Sequence, residues 1–177
     1  MTTPTLVPIS HELFVADVQA VAAAIEASGW RPDHIVGIGR GGLVPGAYLS
    51  HRMGISLLSV DHSSGVAGFA DELLAKLAQQ TCEGTHILLI DDINDSGKTI
   101  IALRGKILSA GGEEANLRVA VLIDNSRSPA KVDYRARVID RAEDKSWFVF
   151  PWEAMAPTTT LIEEAQEVPE RLGLVQS

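Results

Sequence analysis

Two acids stand side by side after an apolar run. HILLI (86–90) leads into Asp91 and Asp92, and Asn94-Asp95-Ser96-Gly97-Lys98-Thr99 follows. Adjacent carboxylates at a strand end cannot both be buried without a partner. They can accept hydrogen bonds from vicinal hydroxyls or face Mg²⁺, a hard cation that takes oxygen ligands. Ser96, Gly97, Lys98 and Thr99 place free backbone N–H groups and hydroxyls at the start of a predicted helix, which suits a phosphate monoester. Asp95 adds a third carboxylate close by. Hydroxyl acceptors beside a phosphate cradle describe a site for a sugar phosphate. The competing reading is an acidic helix cap favoured by the helix dipole. It accounts for one Asp, not for three with Gly-Lys-Thr. Gly97-Lys98-Thr99 also invites a P-loop, but that motif needs glycine where Asp92 stands.

A second loop carries chemistry of a related kind. Gly37-Ile38-Gly39-Arg40-Gly41-Gly42 fits G-x-G-x-x-G, and Asp61 lies about 20 residues on, as a dinucleotide-binding fold requires. Arg40 has no special role in that fingerprint, and the chain is short for a cofactor domain plus a substrate domain. A Gly-rich turn needed only for close packing is a further alternative. The preferred reading is an anion-binding loop: its glycines let backbone N–H groups approach phosphate oxygens, and Arg40 supplies charge and a fork of donors.

The elements that must position these loops alternate. A helix is predicted from Ser10 to a stop at Gly29, then a buried strand HIVGIG (34–39). A helix over 43–53 keeps Pro45 in its first turn, and ISLLSV (55–60) is a strand. Residues 61–70 read as a mobile loop and 71–80 as a helix. HILLI is the strongest strand, followed by a helix at about 97–110 and strands at 117–123 and 134–140. Such alternation implies an α/β fold with a parallel sheet and helices on both faces. Ligands then sit at the C-terminal ends of the strands, where both loops lie.

At this point the residues resemble a family. The 86–100 segment is similar to the ribose-phosphate signature of type I phosphoribosyltransferases. GRGGLVPG (39–46) resembles the pyrophosphate loop of the purine branch, the xanthine-guanine members above all. Trp147-Phe148-Val149-Phe150-Pro151-Trp152-Glu153 resembles the base-binding hood of that branch. The resemblance implies one type I phosphoribosyltransferase domain over 1–177. Its core would span about 30–140, its hood would come from the N-terminal segment and about 141–156, and 157–177 would be a tail. Such enzymes transfer ribose 5-phosphate from phosphoribosyl pyrophosphate (PRPP) to a base nitrogen and release pyrophosphate.

Carried over by position, the resemblance implies that Asp91 and Asp92 bind the ribose hydroxyls, partly through Mg²⁺. Asp95 would sit near purine N7 and relay a proton. Asp95, Ser96, Gly97, Lys98 and Thr99 would hold the 5-phosphate. Gly39, Arg40 and Gly41 would hold pyrophosphate, with a cis peptide at Gly39–Arg40. Trp147 would stack on the base, Phe148 would meet it through its backbone, and Glu153 would reach the water shell of a second metal. Packing alone is the competing reading for Trp147 and Trp152. Residues 61–70 would close over PRPP. Asn125 stands where the branch has a Lys that contacts the purine 6-oxo group. An amide both donates and accepts, so it suits an oxo or an amino group. The partners would be PRPP and a xanthine-, hypoxanthine- or guanine-type base, in a homodimer or homotetramer. The alternatives are a PRPP- or nucleotide-sensing regulator on the same fold, or a non-standard base.

Composition bounds these readings. With 177 residues, 46% hydrophobic and 21% charged, the chain can build one core. Its charge of 15 − 23 = −8 argues against nucleic acid or an anionic membrane as partner. A single cysteine, Cys82, cannot form an internal disulfide, and no apolar run or leader points to a membrane or export, so a cytoplasmic setting is expected. Cys82 has no base marked for it and reads as a spectator. The five histidines show no metal spacing. His34 and His86 open strands and read as structural, and His62 alone merits a test.

Overall fold

The computed structural model describes residues 4–61 and 69–166. Five strands form one parallel sheet: β2 (His34–Ile38), β3 (Ser56–Val60), β4 (Ile87–Asn94), β5 (Leu117–Asn125) and β6 (Tyr134–Ile139), in the order β3-β2-β4-β5-β6. The near-continuous Val, Ile and Leu of β4 and β5 are buried because helices cover both faces. On one face, α1 (His11–Ala27) and α2 (Gly39–Met53) bring Phe14, Val18, Ile25 and Leu49 against Ile35, Leu88 and Leu122. On the other, α3 (Phe69–Cys82) and α4 (Lys98–Ser109) bring Leu74, Leu77, Leu103 and Ile107 against Val36, Leu89 and Val119. Ser10 starts α1 as expected, its Oγ accepting the Leu13 N–H at 3.1 Å.

A separate two-stranded parallel sheet joins β1 (Leu6–Pro8) to β7 (Trp147–Val149), with Leu6 opposite Trp147. It is tied to the main body by rings. Trp152 stacks on Phe150 at 4.9 Å and meets Phe14 of α1 edge-on at 5.3 Å. Trp152 is thus a packing residue that fastens the 147–153 segment to α1. A short helix, α5 (Thr158–Ala165), follows and buries Leu161 and Ala165.

Several expectations need correcting. The helix read at 43–53 begins at Gly39, which adopts φ +54°, so Pro45 falls in the second turn. There it offers no N–H to the Gly41 carbonyl. The strand read as HILLI runs on to Asn94 because Asp91, Ile93 and Asn94 pair with Val121, Ile123 and Asp124 of β5. The two acids are therefore part of the strand, and β5 likewise extends to Asn125. Among the described residues there is no cis peptide, so the Gly39–Arg40 bond is trans. Most of the 61–70 loop, including His62, lies outside the described residues, while Phe69 and Ala70 already belong to α3. Residues 167–177 of the tail also lie outside them. Among the described residues, no helix is long and apolar enough to cross a membrane.

Candidate functional site

The C-terminal end of β4 carries the acids. Asp91 Oδ1 accepts the Asp92 N–H at 3.0 Å, and Asp92 Oδ1 accepts the Ile93 N–H at 2.7 Å. Neither acid has an ion-pair partner among the described residues. Burial pushes both carboxyls up, Asp91 well above the usual range and Asp92 to about 6. Asp92 further raises Asp91 by like-charge repulsion, and Asp95 does the same to Asp92.

The first loop meets the second here. A Cβ placed on Gly41 would lie 2.6 Å from Asp92 Oδ2 and 3.0 Å from Asp91 Oδ1. Glycine at 41 is thus what lets the start of α2 approach the acid pair. Arg40, beside it, is exposed. It opens on a neighbouring cleft that Leu43, Trp152, Glu153 and Glu164 also line.

After β4, residues 95–99 turn into α4. Gly97 adopts φ +77°, which an L side chain rarely tolerates, and a Cβ there would lie 2.6 Å from Ser128 Oγ. A chain of hydrogen bonds lies beneath this turn. Arg135 pairs with Asp124, Asn94 donates to Asp124, and Ser128 donates to Asn94 at 2.9 Å. Ser96, Gly97, Lys98 and Thr99 line a small cleft of about 100 Å³ together with Asp91 and Asp95. That volume has room for a phosphate group, and the first backbone N–H groups of α4, which no helix carbonyl can accept, belong to residues that line it; the Lys98 N–H donates to Ser96 Oγ at 3.5 Å. Lys98 is exposed at the helix start.

Next to this cleft is a cavity of about 240 Å³ lined by Asp92, Ile93, Asp95, Ser96, Arg141, Trp147, Phe148, Phe150 and Glu153. Its lining combines three carboxylates, one guanidinium and the rings of Trp147, Phe148 and Phe150. Glu153 spends Oε2 on the Phe150 N–H at 2.8 Å. Burial pushes its carboxyl up to about 7, with Asp92 and Glu164 adding repulsion. The structure brings Trp147, Phe148 and Glu153 to the same cavity as Asp92 and Asp95. It does not gather Asp91, Asp92 and Glu153 into a three-ligand metal cluster, nor any other such group among the described residues.

Asn125 is not brought into this cavity. It is 2% exposed at the end of β5 and its amide is committed. Nδ2 donates to the Asp95 carbonyl at 3.0 Å, while Oδ1 accepts from the backbone N–H groups of Arg127 and Arg141. The expected base contact by Asn125 is replaced by a contact that fixes the backbone carrying Asp95.

Arg141 was missed by sequence reasoning and occupies the wall instead. Its guanidinium, 1% exposed, clasps Asp95 with Nε to Oδ1 at 2.7 Å and Nη2 to Oδ2 at 2.9 Å. The Phe148 ring lies over it at 5.3 Å. The available signal was position: Arg141 directly follows the strand YRARVID, at the end of the sheet where ligands bind.

Three acids with raised protonation equilibria share this mouth, and the consequence for stability has a definite sign. Each binds a proton more readily folded than unfolded, so each favours folding at low pH and loses that contribution as pH rises through its folded value. The ligand-free protein is expected to melt roughly a few degrees lower at pH 7.5 than at pH 5.5. Thermal scans at fixed ionic strength check this; a melting point that rises over that interval would contradict the burial of these charges.

The comparisons with known proteins show the family and the fold. The model of the phosphoribosyl transferase domain matches residues 9–157. Among solved structures, the purine phosphoribosyltransferase of Pyrococcus horikoshii is 24% identical with a TM-score of 0.60, over 84% of this chain and 93% of that one. The xanthine-guanine-hypoxanthine phosphoribosyltransferase of Helicobacter pylori is 20% identical with a TM-score of 0.63, over 88% and 98%. A Neisseria gonorrhoeae protein with bound ppGpp is 19% identical with a TM-score of 0.67, over 96% and 98%.

Proposed function

Because the chain belongs to the phosphoribosyl transferase domain family of glycosyltransferases, we propose that it transfers ribose 5-phosphate from PRPP to a purine of the hypoxanthine, xanthine or guanine type. Pyrophosphate is the second product. One observation carries this reading: a ring-walled cavity of about 240 Å³ and a phosphate-sized cleft of about 100 Å³ share Asp95 and Ser96 at the end of one strand. A sugar phosphate in the cleft points its reacting carbon toward a base in the cavity.

In this reading, Asp91 and Asp92 accept hydrogen bonds from the ribose 2- and 3-hydroxyls. Backbone amides of residues 96–99 and the Thr99 hydroxyl hold the 5-phosphate, with Lys98 adding charge. Gly39, Arg40 and Gly41 hold the pyrophosphate. Trp147 and Phe148 wall the base, and Asp95 faces its N7. The cation-like transition state develops beside these carboxylates, so catalysis is mostly positioning and charge stabilisation.

The acid pair also fits Mg²⁺. Two desolvated carboxylates without a cation are half of a site for an ion that keeps several waters and takes substrate phosphates as further ligands. When bound, Mg²⁺ would neutralise the pyrophosphate leaving group. Glu153 would act at most through water. The protein would work in the cytoplasm, in purine salvage, as a homodimer or homotetramer. Exposed Cys82 is compatible with a reducing setting.

The decisive experiment is pyrophosphate release from PRPP and Mg²⁺ across hypoxanthine, xanthine, guanine and adenine. Release is expected with at least one 6-oxopurine. No release with any purine would move the assignment to a PRPP- or nucleotide-sensing regulator, or to an unusual base.

A further inference from the structure

Resting on the purine-transfer reading, we propose that Arg141 is the residue that selects the base, and that with Asp95 it selects 6-oxopurines over 6-aminopurines. The argument begins with counting. A guanidinium has five N–H donors and no acceptor. Arg141 commits Nε and one N–H of Nη2 to Asp95, and both N–H groups of Nη1 to the carbonyls of Asp144 (3.2 Å) and Ser146 (2.6 Å). One donor is left, on Nη2, the nitrogen already beside the Asp95 carboxylate. Both residues line the cavity.

The wall therefore presents a donor next to an acceptor, fixed in place. The bidentate clasp sets the angle between them, the two carbonyls stop the guanidinium from turning, and the Phe148 ring covers its face. A ligand edge that matches must place an acceptor next to a donor. A 6-oxopurine protonated at N7 does so: O6 accepts from Arg141 and N7–H donates to Asp95, which leaves N9 with a free lone pair for attack on the sugar. A 6-aminopurine sets N–H groups at C6 against the remaining Arg141 N–H. Two buried donors facing each other leave both unpaired, which a rigid polar site penalises strongly.

The same geometry explains why Asn125 is free for another task. The donor that the family resemblance expects at the end of β5 comes here from the end of β6, and Asn125 holds the backbone of both Asp95 and Arg141.

The test measures kcat/KM for hypoxanthine and for adenine at saturating PRPP, and the KM for PRPP, in the parent protein and in Arg141→Lys. Lysine keeps the charge that Asp95 needs but not the fork. The parent is expected to prefer hypoxanthine by about 100-fold or more, and Arg141→Lys to cut that preference at least about tenfold while the PRPP KM moves less than about threefold. A preference unchanged in Arg141→Lys, or an equal loss for both bases, overturns the inference and leaves the function standing. No turnover of any purine by the parent overturns both. If Arg141→Lys does not fold, unsubstituted purine decides with the parent protein alone. Its kcat/KM should fall between those of hypoxanthine and adenine, and parity with hypoxanthine overturns the inference.

Discussion

Asp92→Asn is expected to lose roughly 10²–10³-fold in kcat/KM for PRPP turnover while the variant melts a few degrees higher than the parent at pH 7.5. Both halves come from the same cause. Asp92 has no cationic partner among the described residues, and burial raises its carboxyl to about 6, so at pH 7.5 its charge is held against a desolvation cost. An amide has the same shape and no charge. Its oxygen can keep the Ile93 N–H that Asp92 Oδ1 now accepts. The fold thus loses nothing that packs, and Asp91 loses a like charge beside it. The site loses the negative charge that faces the sugar and would share in holding Mg²⁺. Pyrophosphate release together with thermal scans at pH 5.5 and 7.5 checks the pair of effects. Activity within about twofold of the parent would remove Asp92 from the ribose site. A lower melting point would show that its charge is satisfied in a way the geometry does not reveal.

Gly42→Ala is expected to prevent folding or to cost at least about 4 kcal/mol, the range reached only by severe overpacking or strain. A Cβ at position 42 would stand 2.0 Å from the carbonyl oxygen of Ile90, and a Cβ against a backbone atom has no rotamer change to relieve it. Gly42 is where α2 leans on β4. Moving α2 away would separate the Gly39–Gly41 turn from Asp91 and Asp92. Gly105, inside α4, is the matched control: nothing lies within 4 Å of a Cβ there. Gly105→Ala is expected to be neutral or to add up to about 1 kcal/mol through helix propensity. Urea unfolding of the two variants separates the outcomes; a Gly42→Ala protein within about 1 kcal/mol of the parent would contradict the close approach.

What sequence made legible was local. The runs read at 34–39, 55–60, 86–90 and 117–123 are apolar enough to mark buried parallel strands, and the Gly, Asp and Ser-Gly-Lys-Thr signals mark where they give way to the next element. Gly39 to Gly41 and Asp95 to Thr99 do follow β2 and β4 directly, while Asp91 and Asp92 lie within β4 itself. What was not legible depends on partners far along the chain. Asp91 to Asn94 are polar enough to end a strand by composition, yet β5 supplies the ladder that continues it. Asn125 looked available because only the Arg127 N–H, two residues on, claims its amide locally, while Asp95, 30 residues earlier, and Arg141, 16 later, claim the rest. Arg141 has no motif. Its meaning comes from Asp95, 46 residues away, and from two carbonyls of the loop that follows it.

The pairing of β1 with β7 sets an order of events during synthesis. Leu6 and Trp147 are 147 − 6 = 141 positions apart, yet they face each other in one two-stranded sheet. The phosphate cleft is lined by residues up to Ile100 and braced by β5 and by Ser128 and Arg135, and the Arg141 clasp completes one wall of the neighbouring cavity. The ring side of that cavity cannot exist until residue 150 has left the ribosome and found the first strand waiting. Closing so long a loop costs entropy that only late contacts repay. A growing chain therefore holds every residue of its anion-holding half before its base-holding half is complete.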